Sequence, residues 1–201
     1  MSKIDANKKQ KETSLLRTAF EYFTTKGFSK TTISEIAEKA GVAKGTFYLY
    51  FKDKYDIRNR LIAHKSSQVF SNAMTALAGK LPELSFEDRV ISIADNIIDQ
   101  FSEDRSLLAF LSKNLSWGIF KSAITNPTSD DDVNFATIYR QIIEEAPYKL
   151  KDPEIMMFMV IELTSSSCYS SILYTEPCSI EQLKPYLYGA ILMIIRQHKD
   201  E

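Results

Sequence analysis

Residues 31–54 read TTISEIAEKAGVAKGTFYLYFKDK, and how this stretch folds decides the rest of the chain. Thr32 followed three residues later by Glu35 is a capping box, which starts a helix. Ile33, Ile36, Ala37 and Ala40 then recur at helical spacing and give it one buried side. Gly41 stands where that helix has to stop, because glycine accepts the left-handed conformation of a helix end. A second short helix follows from about Ala43, with Phe47 and Phe51 turned inward. Two short helices joined by a glycine turn make a helix-turn-helix.

The outward residues of the second helix carry the chemistry. Lys44, Gly45, Thr46, Tyr48 and Tyr50 are cationic, small or hydroxyl-bearing, and no carboxylate lies between Lys39 and Lys52. Such a face suits a DNA major groove. Gly45 permits close backbone approach, and Thr46 suits a base edge or a thymine methyl. Tyr48, Tyr50 and Lys54 are expected on phosphate oxygens, as is Thr32 at the amino end of its helix.

The chain resembles the TetR family of transcriptional regulators. The resemblance rests on Thr32-Ile33, Ile36-Ala37, Ala40-Gly41-Val42, Lys44-Gly45-Thr46-Phe47-Tyr48, Tyr50-Phe51 and Lys54, and covers roughly residues 9–61. Tyr50 departs from the pattern, since many relatives carry histidine there. The resemblance implies a symmetric homodimer. It also implies repression rather than activation.

Outside this stretch the 201 residues are 44% hydrophobic and 11% aromatic, ample for a folded core. The net charge of −1 hides an asymmetry. Residues 1–65 hold 14 Lys and Arg against 7 Asp and Glu, a net +7, which leaves −8 for the remainder. A basic front and an acidic rear fit a DNA-reading head on a body that does not touch DNA.

The expected fold is all-α, with a three-helix helix-turn-helix head over residues 1–54. A larger helical effector-binding and dimerisation domain covers 55–201. Residues 1–8 read as loose, and the first helix runs from about Lys9 to Gly27 with Leu15, Leu16, Ala19, Phe20 and Phe23 inward. Asp53 caps a long fourth helix that joins head to body. Ser85 with Asp88, the acidic run Asp130-Asp131-Asp132, Asp152-Pro153-Glu154, and Ser179 with Gln182 mark further helix starts. A break is expected at Gly118 and a loop at Asn126-Pro127-Thr128. The last two helices carry more apolar surface than a monomer hides, which points to a homodimer through them.

An effector pocket in the body would draw on Phe101, Phe110, Asn114, Trp117, Tyr139, Phe158, Glu162 and Tyr169, with an unidentified small molecule as ligand. Asn114 and Trp117, three apart, are the first place to look. A buried, unpaired Glu162 would favour a cationic ligand.

Catalysis and metal binding lack their residues. His64 and His198 stand alone, and no nucleophile motif, phosphate loop or metal-ligand cluster is present, so neither enzyme activity nor a cofactor is expected. Cys168 and Cys178 lack C-x-x-C spacing and read as inert thiols rather than a redox switch. Neither a signal peptide nor a run long enough to cross a membrane is read from the sequence, so a cytoplasmic protein bound to double-stranded DNA is expected. The competing reading is an architectural DNA-binding protein, or an activator, without small-molecule control.

Overall fold

The computed structural model describes residues 3–114 and 130–200. Among them stand nine α-helices and no strand: α1 (Lys3–Thr25), α2 (Ile33–Lys39), α3 (Lys44–Phe47), α4 (Lys54–Leu77), α5 (Phe86–Glu103), α6 (Arg105–Asn114), α7 (Asp130–Glu144), α8 (Pro153–Tyr174) and α9 (Ile180–Gln197). The expected kink at Gly118 and the loop at Asn126-Pro127-Thr128 lie outside the described residues. The chain divides into two compact units, Met1–His64 and Lys65–Glu201. The division falls inside α4, later than the expected boundary between residues 54 and 55, and Ile57 and Leu61 on its first turns are buried.

The head is closed by local signals. The Thr32 hydroxyl accepts from the Glu35 amide at 3.2 Å, and the Glu35 carboxylate accepts from the Thr32 amide at 2.9 Å. This satisfies two of the amide groups that every helix start leaves open. At the other end of α2, Gly41 takes φ +72°, so that its amide reaches Glu38 O and the Val42 amide reaches Ala37 O, both at 3.0 Å. That double bond pattern is a Schellman turn. Asp53 caps α4, its carboxylate accepting from the Tyr55 and Asp56 amides at 2.8 Å.

The core behind these turns comprises Leu15, Ala19, Ile36, Phe47, Phe51 and Ile57, none more than 1% exposed. Each large member contributes about 1.5–3 kcal/mol of burial. Leu16 and Phe20, expected in that core, are only half-buried. The first helix begins at Lys3 rather than Lys9. No proline or glycine interrupts that polar lead, and Asp5 in the first turn offsets the helix dipole.

In the body, α8 packs against α5, α6 and α9. Ser85 and Ser179 cap α5 and α9 as expected, the latter through a full capping box with Gln182. Asp152 precedes α8 in the left-handed region at φ 47° and its side chain caps nothing, so that helix starts on Pro153 alone. Lys184 on α9 bridges Asp95 and Asp99 on α5, each at 2.8 Å, and the Tyr188 hydroxyl also donates to Asp95. Burial works against the Asp95 charge, but the Lys184 ammonium and the Tyr188 hydroxyl outweigh it and hold the carboxyl below its ordinary range. One expectation is corrected here: α8 is long and apolar enough, by length and composition, to cross a membrane, with 39% of its apolar stretch buried in the fold.

Candidate functional site

The head places its expected DNA-facing residues unequally. α3 is a single turn. Phe47 is buried on its inner side, while Lys44, Gly45 and Tyr48 are exposed, Tyr48 by 51%. Thr46 and Tyr50 are half-buried, the Tyr50 ring lying tilted beside Phe51 with centroids 6.4 Å apart. A Cβ built on Gly45 meets nothing within 4 Å, and its φ is not in the left-handed region. Neither backbone conformation nor packing therefore requires glycine there.

Two of the expected phosphate contacts are engaged inside the head. The Lys54 ammonium donates to Phe28 O and Thr31 O, both at 2.9 Å, and lies 4.5 Å above the Phe28 ring. It staples the loop that leads into α2. The Thr32 hydroxyl, while accepting from the Glu35 amide, donates to the Glu35 carboxylate at 2.8 Å. The Thr32 amide, then the Lys26 ammonium at 3.0 Å, then the Thr32 hydroxyl hold the Glu35 carboxyl down to about 2.

Thr32, Lys44, Tyr48 and Lys54 nevertheless share the wall of one shallow cradle with Ser29 and Ser34. Both serines escaped the sequence reading. Ser34, the second residue of α2, was findable, because the first turn of a helix presents open amides. Leu49, 79% exposed beside α3, was hidden in the aromatic run around it, which reads as core.

The body holds a cavity of about 130 Å³ among α4, α5, α6, α7 and α8. Phe70, Ile93, Ile97, Met157 and Val160 form much of its apolar wall, and Ser66, Ser112, Thr164 and Ser165 also line it. Of the expected pocket residues, Phe101 and Tyr139 line it. Burial first, and the Glu154 charge second, push the Tyr139 phenol above its ordinary range and keep it neutral.

The other expected pocket residues lie elsewhere. Phe110 is buried without reaching the lining. Phe158 and Glu162 occupy the exposed side of α8, and Tyr169 packs edge-on against Tyr174 with centroids 5.8 Å apart. The exposure of Glu162 removes the argument for a cationic ligand. Asn114 ends α6 without a described side chain, and Trp117 lies outside the described residues.

Cys168 is fully buried, and burial pushes its thiol up to about 12, leaving no thiolate for redox chemistry at neutral pH. Among the described residues no group of three His, Cys, Asp or Glu is placed to hold a metal ion. The exposed sides of α8 and α9 carry large apolar residues among charged ones. Ile155, Phe158 and Met159 lie on one, and Tyr186, Leu192 and Met193 on the other, with Tyr186 exposed by 79% and Met193 by 62%.

Residues 15–61 match the sequence model of "Bacterial regulatory proteins, tetR family". Over 67 residues the chain is 39% identical to the uncharacterised HTH-type transcriptional regulator YvdT of Bacillus subtilis, which amounts to 33% of this chain and 32% of that protein. The chain thus spans about a third of the length of such curated relatives. A putative TetR-family transcription regulator from Shewanella sp. PV-4 superimposes with a TM-score of 0.66 at 17% identity, over 95% of this chain and 99% of that one. FadR from Bacillus subtilis, solved with stearoyl-CoA, does so with a TM-score of 0.59 at 17% identity, over 91% and 97%. At that identity the likeness to the solved structures is one of fold. Residues 15–61 thus match the amino-terminal domain of the bacterial tetR-family regulatory proteins, and the remainder of the chain shares their fold.

Proposed function

We propose that the chain is a sequence-specific DNA-binding transcriptional regulator, a cytoplasmic homodimer that represses from a near-palindromic site and is released by a small molecule. The observation that carries the reading is Gly45. It is exposed between Lys44 and Tyr48, and the fold has no use for its missing side chain. A glycine without an internal reason fits an external one, the close approach of a DNA backbone or base edge. Lys44 and Thr46 read bases in this scheme, while Tyr48, Tyr50, Thr32 and Lys54 position the head on phosphates. Leu49 adds an apolar surface suited to a thymine methyl.

The large apolar residues on the outer sides of α8 and α9 support pairing with a second copy, which would bring two heads to successive major grooves roughly 34–36 Å apart. The body cavity is the place for an effector, and FadR, a neighbour in fold, takes stearoyl-CoA. Such a ligand shifts the head spacing by no more than its differential affinity for the two states, about 1–3 kcal/mol.

The test begins with selection of a binding site from random duplexes. On that site Gly45→Ala is expected to weaken binding about tenfold or more, while leaving the fold as stable or more stable by about 0.5–1 kcal/mol. Lys44→Ala changes the preferred sequence, and Tyr48→Ala weakens all duplexes alike. Unaltered affinity in Gly45→Ala would remove the reading's main support. A sedimenting single subunit would remove the dimer.

A further inference from the structure

Serine and threonine on helices ordinarily turn back to the carbonyl one turn earlier. This chain does so repeatedly. Thr24 donates to Phe20 O at 2.8 Å, Thr25 to Glu21 O at 2.7 Å, Thr75 to Ser71 O at 2.9 Å and Ser102 to Ile98 O at 2.9 Å. Three hydroxyls at the body cavity do otherwise. Ser66 Oγ on α4, Ser112 Oγ on α6 and Thr164 Oγ1 on α8 are buried and have no hydrogen-bond partner among the described residues. Ser67 is a fourth such hydroxyl, away from the lining, so an unbonded hydroxyl alone marks nothing. What sets the three apart is that their residues, from three helices, line one hole. Leaving each buried and unbonded is costly, and nothing among the described residues recovers that cost.

The rest of the wall limits what can complete those bonds. Among its described residues there is no Asp, Glu, Lys, Arg or His. A charged group brought inside would give up its water with no opposite charge among the described residues in exchange. The volume of about 130 Å³ is close to the roughly 150 Å³ of an apolar cavity that holds a benzene ring. We infer that the cavity takes a small uncharged ligand, one ring or a short chain in size, whose oxygen function is read by Ser66, Ser112 and Thr164. The inference rests on the cavity being the effector site, and names the class of effector. Coenzyme A would offer its phosphates to a wall that has no cation among its described residues.

The experiment is isothermal titration of the full chain with 4-ethylphenol, 1-hexanol, ethylbenzene, hexanoate and octanoyl-CoA. Wild type is compared with Thr164→Val and Ser66→Ala, and the same probes are added to the protein on its selected duplex. The uncharged oxygenated probes are expected to bind, ethylbenzene about fivefold more weakly for want of the hydrogen bond, and hexanoate and octanoyl-CoA more weakly still. Thr164→Val should lose about fivefold in affinity for 4-ethylphenol, keep its affinity for ethylbenzene, and melt no lower than wild type without ligand. Ser66→Ala gives the same pattern should Thr164→Val fold poorly. Tighter binding of hexanoate or octanoyl-CoA, an equal loss for ethylbenzene in both variants, or no binding of either uncharged oxygenated probe overturns the inference. Release of DNA by a charged probe overturns the ligand class and leaves the effector site standing. Binding of 4-ethylphenol with no effect on DNA overturns the effector site and leaves the ligand class standing.

Discussion

The head and the body differ in how they treat their polar side chains. In the head they end on protein: Thr32 on Glu35, Asp53 on two amides, Lys54 on two loop carbonyls. In the body Lys184 and Tyr188 also end on protein, but the hydroxyls of Ser66, Ser112 and Thr164, three residues that line a cavity, have no partner among the described residues. The head keeps its available chemistry outside, on Lys44, Gly45, Tyr48 and Leu49, whereas the body keeps it inside. The difference fits two tasks. Reading a long stiff polymer requires a surface fixed in advance, so every turn behind it is tied down. Receiving a small molecule requires an interior left unfinished.

The contrast breaks most readily at Phe47. Phe47→Ala removes a fully buried ring and should cost the head about 3–5 kcal/mol. The expected outcome is loss of native amide resonances from residues below 64 with those of the body kept. Joint loss of both would mean that the two units do not stand separately.

A smaller effect separates Lys54 from Lys44. Lys54→Met breaks bonds from a charge to two carbonyls and should lower stability in urea by about 1.5–3 kcal/mol. Lys44→Ala, on the exposed face, should stay within about 0.5 kcal/mol of wild type. Both should weaken DNA binding, so only the stability measurement distinguishes a residue that holds the head together from one that faces outward.

The smallest effect is in acid. The Glu35 carboxyl titrates in the folded head at about 2, below its ordinary value of 4.5. Because its folded value is depressed, its contribution is complete above pH 4.5 and fades as pH falls through about 2. Glu35→Gln should flatten the acid limb of the head's stability in that window, measured by urea midpoints at successive pH values.

Much of the head was legible because its signals are local. Thr32 and Glu35 are three residues apart, Gly41 immediately follows the C-cap of its helix, and each pair of bonds closes within six residues. The internal bonds of Lys54 are not legible, because its partners, Phe28 and Thr31, belong to a different loop. The start of α1 at Lys3 is not legible, because polar residues carry no burial signal, although nothing among them stops a helix.

The body was legible as helices and much less so as a site. α8 is apolar on nearly every side, so its sequence does not say which residues face the cavity. Phe158 and Glu162 turned out on the exposed side, Thr164 on the inner one. A cavity is a lack of packing between distant helices, and no local pattern encodes it.

The four-residue length of α3 has one more consequence. A single turn has too few backbone bonds to persist by itself, so its shape is imposed from behind, by Phe47 and Phe51. The outward positions are thereby released from any duty to keep the helix wound. Such a unit can acquire a new target sequence by exchanging exposed side chains one at a time, without passing through an unfolded ancestor.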